Sequence, residues 1–170
     1  GYLADFAVID NFKDFNVEMV FKKGVLYWNN GELRDFDAPQ IEEYLDKRAH
    51  DTFHVATLTP DDFRDTRQRG VLGMVPGEII TTDNGYADHV DLEKDILKIA
   101  VVERHKGTHH IGLGYIQGYG LRSGAVATSI SHDSHNIIVV GTNSADMAFA
   151  ANYIVEHHGG IVVVENGVVK

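Results

Sequence analysis

The sequence contains no cysteine, which excludes disulfides, thiolate metal sites and a cysteine nucleophile. It also excludes the zinc-bound base-deaminase signature, because that signature needs a C-x-x-C pair. An apolar run of about 18 residues is missing too, so we expect no membrane-spanning helix. The first residues, GYLADFAVID, lack the basic segment that begins a secretory signal peptide. These absences predict a cytoplasmic protein.

Basic residues are scarce. The chain has 15 Lys and Arg against 25 Asp and Glu, a formal net charge of −10, which argues against a nucleic-acid partner. Its 170 residues are enough for one globular domain, or for one domain and part of another. The chain begins with Gly rather than Met and stops just after a hairpin turn, so we expect both ends to be cut from a longer chain.

The first 30 residues predict short strands, with a hairpin that turns at Lys23-Gly24. Two or three strands cannot bury both faces of a sheet on their own, so these strands are expected to need partners. The stretch NNGELRDFDAPQ (29–40) is rich in Asn, Gly and Asp and predicts a loop. We place a domain boundary there, with domains at 1–30 and 31–170.

The sequence of the second domain predicts an α+β fold with a mainly antiparallel sheet and few helices. Strands are predicted at 53–58, 70–75, 77–82, 96–103, 112–117, 125–130, 136–141 and 161–165. Helices are predicted at 41–50, after Thr59-Pro60, and at 144–158. Asn143 or Ser144 is expected to cap the long helix, Gly159 to follow it at C′, and Asn166-Gly167 to form a type I′ hairpin turn.

The stretch SISHDSHNIIVVG (129–141) places a dense polar cluster directly before an apolar strand. His132, Asp133 and His135 have the side chains that bind Zn, Mn or Fe. The neighbouring Ser and Asn residues bond their own backbone in turns, so a hydrogen-bonded turn is the alternative. Turn chemistry explains the small polar residues but not two His beside an Asp.

Other polar and glycine-rich stretches give weaker signals. Glu103-Arg104-His105 ends a predicted strand and either enters a site or is a solvated strand end. The glycines of GLGYIQGYG (112–120) do not have the spacing of a phosphate-binding loop, so bulges or close backbone approach explain them better. No two histidines are separated by a single residue, so the H-x-H pair that places two ligands on one strand face is missing.

Four longer stretches together resemble the adenine deaminase family of the amidohydrolase superfamily. They are GMVPGEIITTD (73–83), IAVVERHKGT (99–108), IGLGYIQGYGL (111–121) and GAVATSISHDSHNIIVVGTNSADMAFAAN (124–152), and GGIVVVENG (159–167) extends the match. Residues 1–28 look like the strands that follow an amidohydrolase barrel. His109 and His110 depart from the pattern, because they fall in a turn where a glycine is expected.

The resemblance implies a hydrolase of purine salvage and adenine catabolism that converts adenine and water to hypoxanthine and ammonia. Members of the family use a hydroxide bound to manganese or iron in a (β/α)8 barrel, where the metal lowers the pKa of water. Such a barrel needs about 250 residues. We therefore expect the chain to be the C-terminal portion without the barrel: 1–30 as closing strands of the β-sandwich, and 31–170 as a truncated C-terminal domain.

Three hypotheses remain open for this portion. The first is an enzyme fragment, inactive alone, that caps the barrel or supports a homo-oligomer, with adenine as substrate and the metal ligands outside the chain. The second is a binding or oligomerisation module in which SHDSHN is only a turn. The third is a small independent metal-binding domain. Candidate residues near the barrel mouth are Glu103, His105, His132, Asp133 and His135, and an accessory metal would bind His132, Asp133 and His135.

Overall fold

The computed structural model describes residues 1–35 and 39–170, and the chain forms two compact units, Gly1–Glu42 and Glu43–Lys170. Part of the loop predicted at 29–40 is residues 36–38, which lie outside the described residues. Within the described ranges, no helix is long and apolar enough to cross a bilayer.

The first unit is a four-stranded antiparallel sheet with its strands in sequence order. Its strands are β1 (Phe6–Ile9), β2 (Val17–Lys22), β3 (Val25–Asn29) and β4 (Glu32–Leu33). The predicted hairpin at Lys23-Gly24 is confirmed, since both residues take left-handed φ angles of 50° and 77°. None of the described residues of this unit is fully buried, so the sheet has no core of its own.

The second unit is built on an eight-stranded sheet in the order β12-β11-β9-β10-β7-β8-β5-β6. Its strands are β5 (Arg69–Met74), β6 (Thr81–Ala87), β7 (Ile96–Val102), β8 (Ile111–Gln117), β9 (Ala125–Thr128), β10 (Ile137–Gly141), β11 (Ile161–Glu165) and β12 (Val168–Val169). Its helices are α1 (Glu43–His50), a 3₁₀ turn (Pro60–Phe63) and α2 (Ser144–Glu156). Neighbouring strands are antiparallel except β5 and β8, which run parallel. The predicted α+β class with a mainly antiparallel sheet is confirmed.

The main core lies between one face of the sheet and helix α2. Met147, Ala151 and Ile154 lie on one face of the helix and are buried there, and Val155 is half-buried at the edge of that face. On the sheet side the core consists of small and β-branched residues, of which Val139 and Ala127 are fully buried. Large side chains on the helix thus pack against a flat strand surface, which fixes α2 across β9, β10 and β11.

Helix α2 is capped at both ends. Asn143 is its N-cap, and its side-chain oxygen accepts a 2.8 Å hydrogen bond from the Asp146 amide. At the other end, the amide of Gly159 donates to Ile154 O and that of His158 to Val155 O, the pairing of a Schellman motif. The C′ residue is therefore His158, with φ 55°, and the prediction of Gly159 there was one residue late. Gly159 has φ 117°, which favours glycine, and a Cβ on it would lie 3.0 Å from Ser129 Oγ.

Asp146, in the first turn of α2, joins the helix to the β11–β12 hairpin. Its side chain is buried and accepts from Asn143 Nδ2 at 2.9 Å, Asn166 N at 3.2 Å and Gly167 N at 2.8 Å. Burial raises the pKa of Asp146, but these hydrogen bonds outweigh burial and lower the pKa below the ordinary value. The same contacts hold the left-handed turn at Asn166-Gly167, which confirms the predicted hairpin.

Two predicted strands were wrong. Residues 77–82 do not form one, because Gly77 has φ 77° and the Glu78 amide bonds Val75 O in a turn, so β6 begins only at Thr81. Residues 53–58 are also not a strand. Their alternating apolar residues pack on the core, while Asn152 replaces a strand partner by bonding both the amide and the carbonyl of Leu58.

Candidate functional site

The candidate site lies at the end of the sheet where β7 stops and β10 begins. These strands are antiparallel neighbours, and Val102 pairs with Ile137. The residues that follow β7 must therefore meet the residues that precede β10. This pairing brings together two segments that the sequence separates, which we call the 103–110 loop and the 131–136 turn.

The 131–136 turn presents the polar residues predicted from the sequence. The side chains of His132 and Asp133 are 89% and 88% exposed, and His132 Nδ1 contacts Asp133 Oδ1. The rings of His132 and His135 lie edge to face with centroids 6.5 Å apart. All three side chains are thus held on one short, exposed turn.

His135 occupies a left-handed backbone conformation, with φ 51°. Such a conformation costs a residue with a Cβ roughly 1 kcal/mol or more, and Gly or Asn tolerates it better. Two hydrogen bonds hold it: the His135 amide donates to Ser131 O at 2.5 Å, and its carbonyl accepts from Arg104 Nε at 2.5 Å. The turn therefore keeps a histidine at a backbone position that would suit glycine better.

Small hydroxyl residues complete the turn. Ser131 is almost fully buried, and its Oγ lies 3.2 Å from Ser134 Oγ. The amide of Asn136 bonds Ser134 Oγ at 3.4 Å. These contacts have the turn chemistry that the sequence predicted for Ser and Asn, and they involve neither imidazole ring.

Arg104 connects the two segments. Its guanidinium lies 4.3 Å from the centre of the Phe53 ring, and its Nη1 donates to Thr52 O at 2.7 Å while Nε donates to His135 O. The Arg104 amide also donates to Asn136 Oδ1 at 3.3 Å. Partial burial lowers the pKa of Arg104, and no salt bridge of Arg104 occurs among residues 1–35 and 39–170.

Glu103 and His105 lie beside Arg104 but point to different partners. His105 Nε2 is 2.9 Å from Ser134 O, so its ring contacts the backbone of the 131–136 turn. Glu103 accepts from the amides of His105, Lys106 and Thr108 and from Thr108 Oγ1, all within its own loop. Burial raises the pKa of Glu103, but these hydrogen bonds lower it more, to about 2. Glu103 is therefore an ionised anchor of the 103–110 loop.

The 103–110 loop contains a second left-handed histidine. His109 has φ 55°, which agrees with the glycine-type turn expected at that position. Its Nε2 lies 3.0 Å from Asp62 Oδ1 in the 3₁₀ turn. This contact ties the loop to the rest of the unit, and a glycine there would not form it.

The manganese or iron implied by the resemblance does not fit the residues that the structure describes. Across 1–35 and 39–170, no three His, Asp or Glu side chains are arranged to hold a metal ion. His132 and Asp133 are paired with each other, and Glu103 is used by its own loop. The arrangement can instead offer exposed imidazole and carboxylate groups to a ligand or surface that approaches the end of the sheet.

The sequence analysis named Arg104 within Glu103-Arg104-His105 but did not include it among the candidate site residues, and it missed Phe53. The signal was present, because Arg104 stands between two residues that were singled out. Its partners Thr52 and His135 are about 52 and 31 residues away in the chain, and only the pairing of β7 with β10 brings His135 to it.

These features define an α+β domain with an exposed His/Asp turn at one end of its sheet. Comparisons with known proteins identify the family to which this domain is similar. The family described as "Adenine deaminase C-terminal domain" matches residues 77–170. The chain is 41% identical to the adenine deaminase of Petrotoga mobilis, 37% to that of Lysinibacillus sphaericus and 36% to that of Dehalococcoides mccartyi.

The chain belongs to the adenine deaminase family, as its resemblance predicted. Each of the three alignments covers 98% of this chain and 30% of the relative. The chain therefore spans about a third of the length of these relatives.

Proposed function

We propose that this chain is the C-terminal part of a metal-dependent adenine deaminase, which converts adenine and water to hypoxanthine and ammonia. The observation that carries the proposal is the similarity of nearly the whole chain, at 36–41% identity, to proteins named adenine deaminase. Because the chain spans about 30% of those relatives, the reaction is assigned to the longer protein. The barrel and the ligands of manganese or iron lie outside this chain in this proposal.

The part played by this chain is to present the 131–136 turn toward the barrel. Three features support this role: the turn is exposed, its side chains are imidazoles and a carboxylate, and its backbone is held in a strained conformation. Strain that the surrounding structure maintains is often found at functional positions. His132, Asp133 and His135 are proposed to contact adenine or a loop over it, while Glu103 and His105 hold the supporting loop.

A substitution at His135 separates this role from a structural one. His135→Gly removes the ring but suits φ 51°, so we expect the full-length enzyme to keep its melting temperature or gain slightly. We expect kcat/KM to fall about 10- to 100-fold, equivalent to about 1.4–2.7 kcal/mol. Activity would then fall without any loss of stability, a combination that loss of a structural contact does not produce.

The matched control is His158→Gly, which removes a histidine with φ 55° from the end of α2. Its kcat/KM should stay within about twofold of the parent. His132→Ala tests the second imidazole, which is 89% exposed and therefore safe to remove. Unchanged kinetics in both His132→Ala and His135→Gly would exclude the 131–136 turn from the active site.

The chain by itself provides a separate test. With adenine and added manganese, it should release no ammonia above a control without protein, because it lacks a metal-binding trio in the described residues. Steady turnover would contradict the assignment of the metal ligands to the rest of the enzyme.

A further inference from the structure

We propose that Arg104 is a positioning residue that fixes His135 for the reaction. The inference rests on the proposed function of the 131–136 turn. Arg104 does not point its guanidinium at solvent, but lays it on Phe53 and donates from Nε to His135 O at 2.5 Å. It is thus the side chain that holds the carbonyl of the one left-handed residue in the turn.

The side chain of Arg104 is bound to the backbone rather than to an acid. Its side-chain hydrogen bonds go to two backbone carbonyls, Thr52 O and His135 O, and in the described part of the chain it has no carboxylate partner. An arginine retained only for charge balance would face an acid. The planar guanidinium instead suits the fixed directions needed to hold two carbonyls while stacking on an aromatic ring.

The backbone of His135 depends on this contact. Its amide is already bound to Ser131 O, and its carbonyl is bound to Arg104. When Arg104 is removed, the carbonyl loses its partner and φ can relax from 51° toward the ordinary negative region. That change swings the imidazole away from its present direction, although Arg104 itself never touches the substrate.

His105 gives the turn a second, weaker tie. Its ring nitrogen contacts Ser134 O, one residue before His135. This tie and the Ser131–Ser134 contact keep the turn folded when Arg104 is replaced. A variant of Arg104 should therefore misplace one side chain without unfolding the domain.

A double-mutant cycle in the full-length enzyme tests the inference. Arg104→Met, which keeps apolar contact with Phe53, should lower kcat/KM about 10-fold, less than the roughly 100-fold that a 1 Å misplacement of a positioning group can cause. Most of the loss should be in kcat rather than KM. In the His135→Gly background the same substitution should lower kcat/KM less than about twofold, because the side chain that Arg104 positions is gone.

Two further variants complete the design. Arg104→Lys keeps the charge but has no planar fork, so it should restore less than half of the lost activity. Arg122→Met is the matched control, since Arg122 also donates to a backbone carbonyl, Leu92 O at 2.6 Å, and both residues lie in connections between strands. Its kcat/KM should stay within about twofold of the parent.

The outcomes separate this inference from the proposed function. If His135→Gly is impaired and Arg104→Met is not, the positioning role is overturned and the proposed function stands. An equal loss from Arg104→Met in both backgrounds also overturns it, because Arg104 would then act independently of His135. If His135→Gly retains full activity, the proposed function of the turn fails first. Melting temperatures of all variants confirm that only folded enzyme is compared.

Discussion

Replacement of Asp146 by Ala should destabilise the second unit strongly, because the buried Asp146 side chain joins helix α2 to the β11–β12 hairpin. The substitution removes the acceptor for Asn143 Nδ2, Asn166 N and Gly167 N. Losing the hydrogen bonds of Asn166 N and Gly167 N should lower the free energy of unfolding by about 1 kcal/mol each, because water can partly replace the carboxylate. Weakening the Asn143 cap and removing a negative charge near the helix N-terminus add about 1 kcal/mol together.

The expected loss is therefore about 3 kcal/mol, or about 10 °C in melting temperature for a chain of this size. Urea denaturation followed by circular dichroism measures it, with an unchanged m-value as evidence that the unfolding reaction is the same. Asp61→Ala is the control, because Asp61 and Arg64 form an ion pair whose side chains are 76% and 70% exposed. That variant should stay within about 0.5 kcal/mol of the parent.

The pH dependence gives an independent check on Asp146. Its pKa is lowered in the folded chain, so its contribution is complete above the ordinary Asp range and is lost as pH falls through the folded value. The difference in stability between the parent and Asp146→Ala should shrink accordingly below about pH 4. A loss under about 1 kcal/mol at pH 7, or a difference that grows in acid, would refute the reasoning from these hydrogen bonds.

Two further predictions concern a glycine and an anchored carboxylate. Gly124→Ala should lower the free energy of unfolding by about 3 kcal/mol or more in urea denaturation, because Gly124 has φ 80° and a Cβ would lie 2.0 Å from Val164 O. The control Gly31→Ala should lower it by only about 1 kcal/mol, because Gly31 has φ 98° but open space around it. Glu103→Gln should make the melting temperature depend less on pH in acid. Because the pKa of Glu103 is lowered to about 2 in the folded chain, Glu103 stabilises the fold above its ordinary pKa, and this stabilisation is lost as pH falls from about 4.5 to 2. An acid profile identical to that of the parent would show that the Glu103 hydrogen bonds contribute nothing.

The elements with strong local signals could be predicted from the sequence. β7, β10 and β11 are apolar runs, and their predicted bounds differ from the structure by at most one residue. Helix α2 has a cap, an apolar stripe and a stop signal, and all three are local. Residues 53–58 have the alternation of a strand, but tertiary contacts with Asn152 and the core decide their conformation. The local pattern of apolar residues cannot distinguish a true strand from an extended segment that is held by tertiary contacts.

The candidate site was only partly accessible to sequence reasoning. Its side-chain types at 132–135 are visible in the sequence, and so is the turn chemistry of Ser131 and Ser134. The left-handed conformation of His135 is not, because histidine carries no general preference for positive φ strong enough to predict it. The contact of Arg104 with His135 O depends on the order of strands in the sheet, and that order pairs segments far apart in the chain.

The parallel pairing of β5 with β8 has a consequence for synthesis of the chain. Gly73 pairs with Gln117, which is made about 44 residues later, so at about 5–20 residues per second the β5–β6 hairpin waits roughly 2–9 s for its neighbour. During that time the edge of β5 and its apolar residues Leu72 and Met74 are open to pairing with other nascent chains. We therefore expect the yield of folded protein to depend on the pace of translation through residues 74–117 as much as on final stability.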